Sequence, residues 1–87
     1  MRMESTVSPK PKEIAPEHQD LMKAIGKKIK ELRTAKQLGY IEMAKEIGIS
    51  RNNYNLMELG KIYFKFSTLL LILDYHKISV SEFFKEL

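Results

Sequence analysis

Apolar residues recur at helical spacing from residue 21 onward, and no stretch alternates convincingly as a β-strand would. Four of them follow one another at intervals of four, four and three residues: Leu21, Ile25, Ile29 and Leu32. This spacing puts them on one stripe of a 3.6-residue period. The stripe predicts an amphipathic first helix that begins near Pro16, a residue suited to the first turn, and ends before Gly39.

The segment from Tyr40 to Gly60 divides into two short predicted helices. Gly48 can close the earlier helix because glycine adopts the left-handed conformation without strain. Ser50 can cap the later helix because its hydroxyl accepts a backbone N–H. Three asparagines follow within that helix: Asn52, Asn53 and Asn55. Asparagine amides compete for backbone hydrogen bonds and disfavour helix interiors, so these residues indicate a role other than helix formation.

The last third of the chain predicts two more helices. The stretch from Ser67 to about Tyr75 is apolar nearly all round, which is typical of a helix buried on more than one side. Ser79 and Glu82 have the spacing of a capping box and predict the start of a final helix. The whole pattern therefore predicts an all-α fold of five helices.

The N-terminal segment, residues 1–16, differs in composition from the rest. It contains all three prolines and has little apolar surface to bury, so we expect a flexible tail before a single domain at residues 17–87. It lacks the apolar core of a secretory signal. The longest apolar run, Leu69 to Leu73, is far shorter than the roughly 20 residues that cross a bilayer. We therefore expect a cytoplasmic protein without a membrane segment.

Composition favours a polyanionic partner and gives no support to catalysis. Fifteen Lys and Arg residues outweigh eleven Asp and Glu, for a net charge of +4 and a pI near 9.4. The chain has no cysteine for a disulfide, a thiolate metal site or a nucleophile. His18 and His76 lack the neighbours of a ligand cluster, and no glycine-rich phosphate loop occurs. We expect no enzymatic activity, metal or cofactor, and no small-molecule ligand is evident.

The sequence from Ile25 to Lys61, "IGKKIKELRTAKQLGYIEMAKEIGISRNNYNLMELGK", resembles the phage-repressor-like (Cro/XRE-type) helix-turn-helix family. The resemblance continues through "FSTLLLILDYHKISVSEFF" without a gap. It implies a compact five-helix bundle of the lambda-repressor-like kind, whose third helix reads bases in the major groove, and symmetric dimers on palindromic operators. The implied function is sequence-specific binding of double-stranded DNA by a small transcriptional regulator, namely a repressor.

The resemblance places four residues where the family's base-reading side chains project: Arg51, Asn52, Asn55 and Leu56. Their chemistry agrees, since Arg can bind guanine bidentately and Asn can pair with adenine in the same way. A leucine can contact a thymine methyl group. A hydrated polar helix face is the alternative interpretation of the asparagines.

The resemblance and the helix-terminus chemistry together give five candidate phosphate contacts: Tyr40, Asn53, Lys61, Lys27 and Tyr63. Tyr40 departs from the family, which commonly has Gln at this position. A tyrosine hydroxyl can still donate to a phosphate, but from farther out.

Two further sets of residues are expected to hold the molecule together. Arg33 and Glu58 match the family's ion pair between the first helix and the end of the third, although two exposed charges without contact remain possible. Five apolar residues near the C-terminus would form an exposed patch in a monomer: Leu71, Tyr75, Phe83, Phe84 and Leu87. We expect this patch to form a two-fold dimer interface, unless the N-terminal tail covers it.

A second function remains open. Apolar residues stand where family members usually carry polar or basic ones near the expected DNA surface: Ile41, Leu56 and Leu59. The fold could therefore serve as a protein-interaction module without specific DNA binding.

Overall fold

Five α-helices form the part of the chain that the computed structural model describes, residues 13–85 and 87, and these residues contain no strand. In chain order they are α1 (Pro16–Ala35), α2 (Tyr40–Ile47), α3 (Arg51–Glu58), α4 (Phe66–His76) and α5 (Val80–Lys85). The all-α, five-helix prediction is confirmed. All five helices contribute buried side chains to the core, and its largest fully buried side chains include Tyr54 and Phe83.

The buried stripe of α1 differs by one position from the predicted one. Met22, Ile25 and Ile29 are buried, whereas Leu21 is 52% exposed. Consecutive helical residues point about 100° apart, so Leu21 and Met22 cannot both face the core squarely. Met22 is the one that faces the core, and the prediction that Leu21 belongs to the buried stripe is wrong.

Two residues of the segment predicted as a tail take part in the described fold. Ile14 is buried in the core, and Pro16 is the first residue of α1, as its suitability for a first turn predicted. The rest of the predicted tail, residues 1–12, lies outside the described residues.

The predicted capping residues act as expected. Gly48 ends α2 in the left-handed region with φ of 88°. The Ser50 hydroxyl accepts the backbone N–H of Asn53 at 3.1 Å and so opens α3. At α5, the Ser79 hydroxyl accepts the N–H of Glu82, and the Glu82 carboxylate accepts the N–H of Ser79.

The C-terminal apolar residues divide between core and surface. Phe83 is completely buried in the chain's own core, so its predicted membership of an exposed patch is wrong. α5 is short and directs only one of its two adjacent phenylalanines inward, which leaves Phe84 exposed. Leu71 and Leu87 are exposed as well, and Tyr75 is half-buried.

Candidate nucleic-acid interface

A tight turn sets the angle between α2 and α3. The N–H groups of Gly48 and Ile49 both donate to the carbonyl of Ala44, each at 2.9 Å, which satisfies the last turn of α2. The next residue, Ser50, caps α3, which begins at Arg51. The arrangement is a helix-turn-helix, in which the later helix is free to present one face to solvent.

The two faces of α3 differ sharply in chemistry. Tyr54, Met57 and Glu58 point inward and are buried. Four candidate base-reading side chains lie on the other side, with Arg51 and Asn52 exposed and Asn55 and Leu56 half-buried. The polar residues that weaken the helix are thus kept out of the core.

Gly26 allows α1 to cross α3 at very close range. A Cβ atom at this position would stand 2.4 Å from the carbonyl oxygens of both Met57 and Glu58. No L side chain fits in that space without movement of the backbone. The close crossing fixes the C-terminal half of α3 against α1.

An ion pair fixes the same end of α3. Arg33 donates from Nε to Glu58 Oε2 at 2.7 Å and from Nη2 to Oε1 at 2.9 Å, while its Nη1 donates to the carbonyl of Leu38 at 2.8 Å. The hydrogen bond to Glu58 raises the pKa of Arg33. One arginine therefore joins α1, the α1–α2 connection and α3.

Tyr54 lies beside this pair at the centre of the core. Its ring is fully buried, and burial raises the pKa of its hydroxyl. The hydroxyl oxygen has no hydrogen-bond partner within the described structure. Tyr54 therefore packs the inner face of α3 into the core and is not part of the exposed face of the helix.

Three candidate phosphate residues lie at or next to the helix-turn-helix. Tyr40 is the first residue of α2, and its side chain is half-buried against the core. Asn53 is exposed in the first turn of α3, and Lys61 is exposed shortly after its end. Asn53 and Lys61 therefore lie near opposite ends of α3, and Tyr40 lies at the start of α2.

The other two candidates have different surroundings. The Tyr63 hydroxyl accepts the N–H of Ala15 at 3.1 Å and lies 2.8 Å from Nδ1 of His18, so it ties the start of α1 to the α3–α4 connection. Lys27 lines a shallow pocket beside the C-terminal Leu87. The structure does not bring Lys27 together with Lys61, which lines a separate pocket near Ile14.

A groove of about 620 Å³ brings together candidates from all three predicted groups. Asn52 and Leu56 from the base-reading set line it, as do Asn53 and Tyr63 from the phosphate set. Leu71, from the predicted dimer patch, lies at its α4 side. The groove runs between α3, residues 62–65 and the first part of α4, and we call it the α3–α4 groove.

The segment from Gly48 to Leu71, which contains every residue that lines this groove, exposes basic but no acidic side chains. From Gly48 to Leu71 the sequence contains one acidic residue, Glu58, which is buried and paired. Three basic residues occur in the same stretch and all are exposed: Arg51, Lys61 and Lys65. The absence of exposed carboxylates along this stretch favours contact with an anionic partner.

Several residues of this region were not predicted from the sequence. Lys65 and Thr68 line the groove, and Phe66, the first residue of α4, is 57% exposed. The sequence signal that could have identified this surface is the phenylalanine directly before the predicted helix start at Ser67. His18 holds Tyr63 from 45 residues away, and no local pattern indicates such a contact.

Residues 13–85 and 87 lack two features that would indicate other functions. These residues contain no helix with the length and apolar character that a bilayer crossing requires. The same part of the chain holds no group of three or more His, Asp or Glu side chains placed to bind a metal ion.

Comparison with known proteins identifies similar sequences and folds. A family model described as helix-turn-helix matches residues 29–83, which is more than half of the chain. The solved structure of the restriction-modification controller protein C.AhdI from Aeromonas hydrophila is similar, with a TM-score of 0.71 and 26% sequence identity. The similarity covers 78% of this chain and 99% of that one. A search of curated proteins finds no significant match.

Proposed function

This chain belongs to the helix-turn-helix family of the Cro/C1/XRE type and is a DNA-binding transcription regulator, and from that premise we propose that α3 reads base sequence in the major groove. One observation carries the proposal. Arg51, Asn52 and Asn53 are all exposed on α3, although asparagine is a poor helix former. The opposite face of α3 packs into the core.

The proposed base contacts follow from side-chain chemistry. Arg51 donates two hydrogen bonds to O6 and N7 of a guanine, and Asn52 or Asn55 pairs with N6 and N7 of an adenine. Leu56 contacts a thymine methyl group. Each bidentate pair contributes about 1–3 kcal/mol of discrimination against a wrong base.

Phosphate contacts would hold α3 in register. Asn53 and Lys61 are exposed at opposite ends of α3, and Tyr40 stands at the N-terminus of α2, where the helix dipole favours an anion. Tyr63 contributes mainly by holding the α3–α4 connection, because its hydroxyl is already bonded to Ala15. Lys27 is the weakest of the candidates because it lies beside the C-terminus.

We propose that two copies bind one operator. Leu71, Phe84 and Leu87 leave apolar area exposed on α4 and at the C-terminus, with the half-buried Tyr75 nearby. A two-fold interface through these residues would cover that area and present two copies of α3 to successive turns of the major groove. Occupation of a promoter by such a dimer would repress transcription by excluding the polymerase.

Selection of duplexes from a randomised DNA pool tests this proposal. The full chain is incubated with the pool at near-physiological salt, and the retained duplexes are sequenced. Enrichment of a two-fold symmetric motif, with half-sites about 10 bp apart, supports a dimeric sequence reader. Loss of the motif's enrichment in Arg51→Ala, with Lys45→Ala as an exposed control on α2, would assign the reading to α3.

Apolar exposure near the same surface supports a second candidate function. Ile41 and Leu59 are each almost half exposed, close to either end of the helix-turn-helix. A protein-interaction module would use these side chains and would bind with little dependence on salt. DNA binding loses affinity steeply with salt because bound phosphates release counterions. If no motif emerges and retention does not change with salt, the second candidate replaces the first.

A further inference from the structure

The α3–α4 groove is more apolar than DNA recognition requires. Six apolar residues line it: Ile49, Leu56, Met57, Ile62, Phe64 and Leu71. DNA offers few apolar partners in the major groove beyond the thymine methyl group. Leu56 on α3 can contact such a methyl group. Ile62 and Phe64, in the α3–α4 connection, and Leu71 on α4 cannot all do the same.

Leu71 is the most exposed apolar residue that lines the groove within one copy of the chain. It also belongs to the proposed dimer interface, so a bound helix would compete with a second copy of the chain for it. Leu71 lies on α4, one turn beyond Thr68, and 51% of it is exposed, although its neighbours Ile72 and Leu73 are completely or almost completely buried. Exposed apolar area of this kind, enclosed in a concave site, is typical of surfaces that bind a helix or a peptide. The volume of about 620 Å³ lies within the usual range for ligand sites, which is about 300–1,000 Å³.

The charges around the groove restrict the chemistry of an occupant. Lys65 lines it directly, and Arg51 and Lys61 are exposed on the neighbouring parts of the chain. Glu58, the one acid between Gly48 and Leu71, is buried against Arg33 and cannot repel an anion. The occupant should therefore carry apolar side chains on one face and carboxylates on its edges.

We propose that the α3–α4 groove binds an acidic amphipathic helix of a partner protein. Its apolar residues, spaced three and four apart, would pack between Leu56 and Leu71, and its carboxylates would pair with Lys65 at the rim. Asn52 and Asn53 also line the groove, so the bound helix would cover part of the exposed face of α3. The partner would then displace DNA, a consequence that rests on the proposed function of α3.

A synthetic peptide tests the binding step without DNA. The probe is a fluorescent peptide of about four helical turns, with leucines on one face and glutamates elsewhere. A peptide of the same composition with scrambled leucine positions is its control. Fluorescence anisotropy against the full chain should give binding at least about tenfold tighter for the patterned peptide, since the scrambled peptide cannot bury its leucines together in the groove.

Two matched leucine variants locate the site on the surface. Leu71→Asp should weaken peptide binding about tenfold or more, because it puts a carboxylate into the groove opposite the acidic peptide. Leu21→Asp changes an equally exposed leucine on α1, outside the groove, and should leave peptide binding unchanged. Lys65→Glu should weaken peptide binding severalfold, because it replaces a favourable charge at the rim of the groove with one that repels the peptide's carboxylates. Circular dichroism melts of the three variants establish that each is folded.

Each contrary result overturns the proposal. Equal binding of the patterned and scrambled peptides would mean that no helix-shaped site exists. Equal effects of Leu71→Asp and Leu21→Asp would place any binding elsewhere. If sedimentation shows that Leu71→Asp abolishes self-association while peptide binding persists, the groove accepts a second copy of the chain instead. These readouts contain no DNA, so failure here leaves the proposed DNA reading intact, and failure of the DNA selection leaves peptide binding intact.

A competition measurement tests the regulatory step. A duplex recovered by selection is labelled and bound to the chain, and unlabelled patterned peptide is added. Release of the duplex by the patterned peptide, and not by the scrambled one, supports mutual exclusion. Simultaneous binding of both, seen as an unchanged duplex affinity at saturating peptide, overturns the competition.

Discussion

Arg33 of α1 and Glu58 at the end of α3 form a bidentate ion pair with distances of 2.7 and 2.9 Å, and the Glu58 side chain is only 4% exposed. Removal of the carboxylate would leave a buried guanidinium without its partner. We expect Glu58→Ala to lower the free energy of unfolding by about 3–5 kcal/mol, measured by chemical denaturation. Glu31→Ala, on the exposed face of α1, is the control and should change it by less than about 0.5 kcal/mol. Equal changes would contradict a structural role for the pair.

Gly26 should tolerate no side chain. In Gly26→Ala the new Cβ would meet two backbone carbonyl oxygens at 2.4 Å, so α1 and α3 must separate. We expect a loss of about 1–3 kcal/mol or more of stability, measured by thermal melting. Gly39→Ala is the matched control because its Cβ would approach only the flexible Glu42 carboxylate, at 3.6 Å. A melting temperature that falls as much in Gly39→Ala would argue against the close crossing.

Lys77 occupies a position that favours glycine. It ends α4 in the left-handed region with φ of 58°, a conformation that glycine adopts without strain. A residue with a Cβ costs about 1–2 kcal/mol in this conformation, so Lys77→Gly should raise the melting temperature. Lys45→Gly, inside α2, should lower it, because glycine destabilises a helix interior by about 0.5–1 kcal/mol. A fall in both variants would be inconsistent with strain at Lys77.

His76 should make stability depend on pH. Burial, and to a lesser extent the charge of Lys36, lowers the pKa of His76 below its usual 6.5. The unfolded chain then binds this proton more readily than the folded one, so stability is complete above about pH 6.5 and falls as the pH decreases. Melting temperatures between pH 7.5 and pH 5 should fall less in His76→Gln than in the unaltered chain. A dependence on pH that is the same in His76→Gln as in the unaltered chain would contradict this role of His76.

Arg51 and Lys61 should affect DNA binding in different ways. Arg51→Ala should cost about 1–3 kcal/mol on the selected operator and relax preference at one base position. Lys61→Ala should weaken binding to all sequences alike and reduce the slope of log affinity against log salt by about 1. Titration of both variants against the operator and a scrambled duplex separates the two effects. Identical behaviour of the variants would remove the distinction between base and phosphate contacts.

The helix boundaries could be predicted from the sequence because they depend on local chemistry. Gly48, Ser50 and the Ser79–Glu82 pair act within a few residues of themselves, and each does what its type predicts. The interior face of α3 could be predicted for the same reason. Its apolar positions Tyr54 and Met57 leave only one orientation for a short helix.

The features that sequence reasoning missed depend on distant contacts. Leu21 and Met22 are both apolar, and which of them is buried depends on how α1 packs against the rest of the molecule, where Met22 lies on the same side of α1 as Gly26. Phe83 and Phe84 are adjacent and identical, so the sequence could not distinguish the buried one from the exposed one. The bonding of the Tyr63 hydroxyl to Ala15 joins residues 48 positions apart, and it changes the chemistry that this tyrosine can offer.

The buried and the exposed residues of α3 are different residues, and this affects how the binding preference of such a regulator can evolve. The residues that hold the helix in place, among them Tyr54 and Glu58, are different from those it displays, Arg51 to Asn53. Substitutions at the displayed positions therefore carry little folding cost, and a gene encoding this scaffold can acquire a new binding preference by few mutations. A randomised library confined to these codons should consist mostly of folded proteins, which makes the chain a practical starting point for engineered specificity.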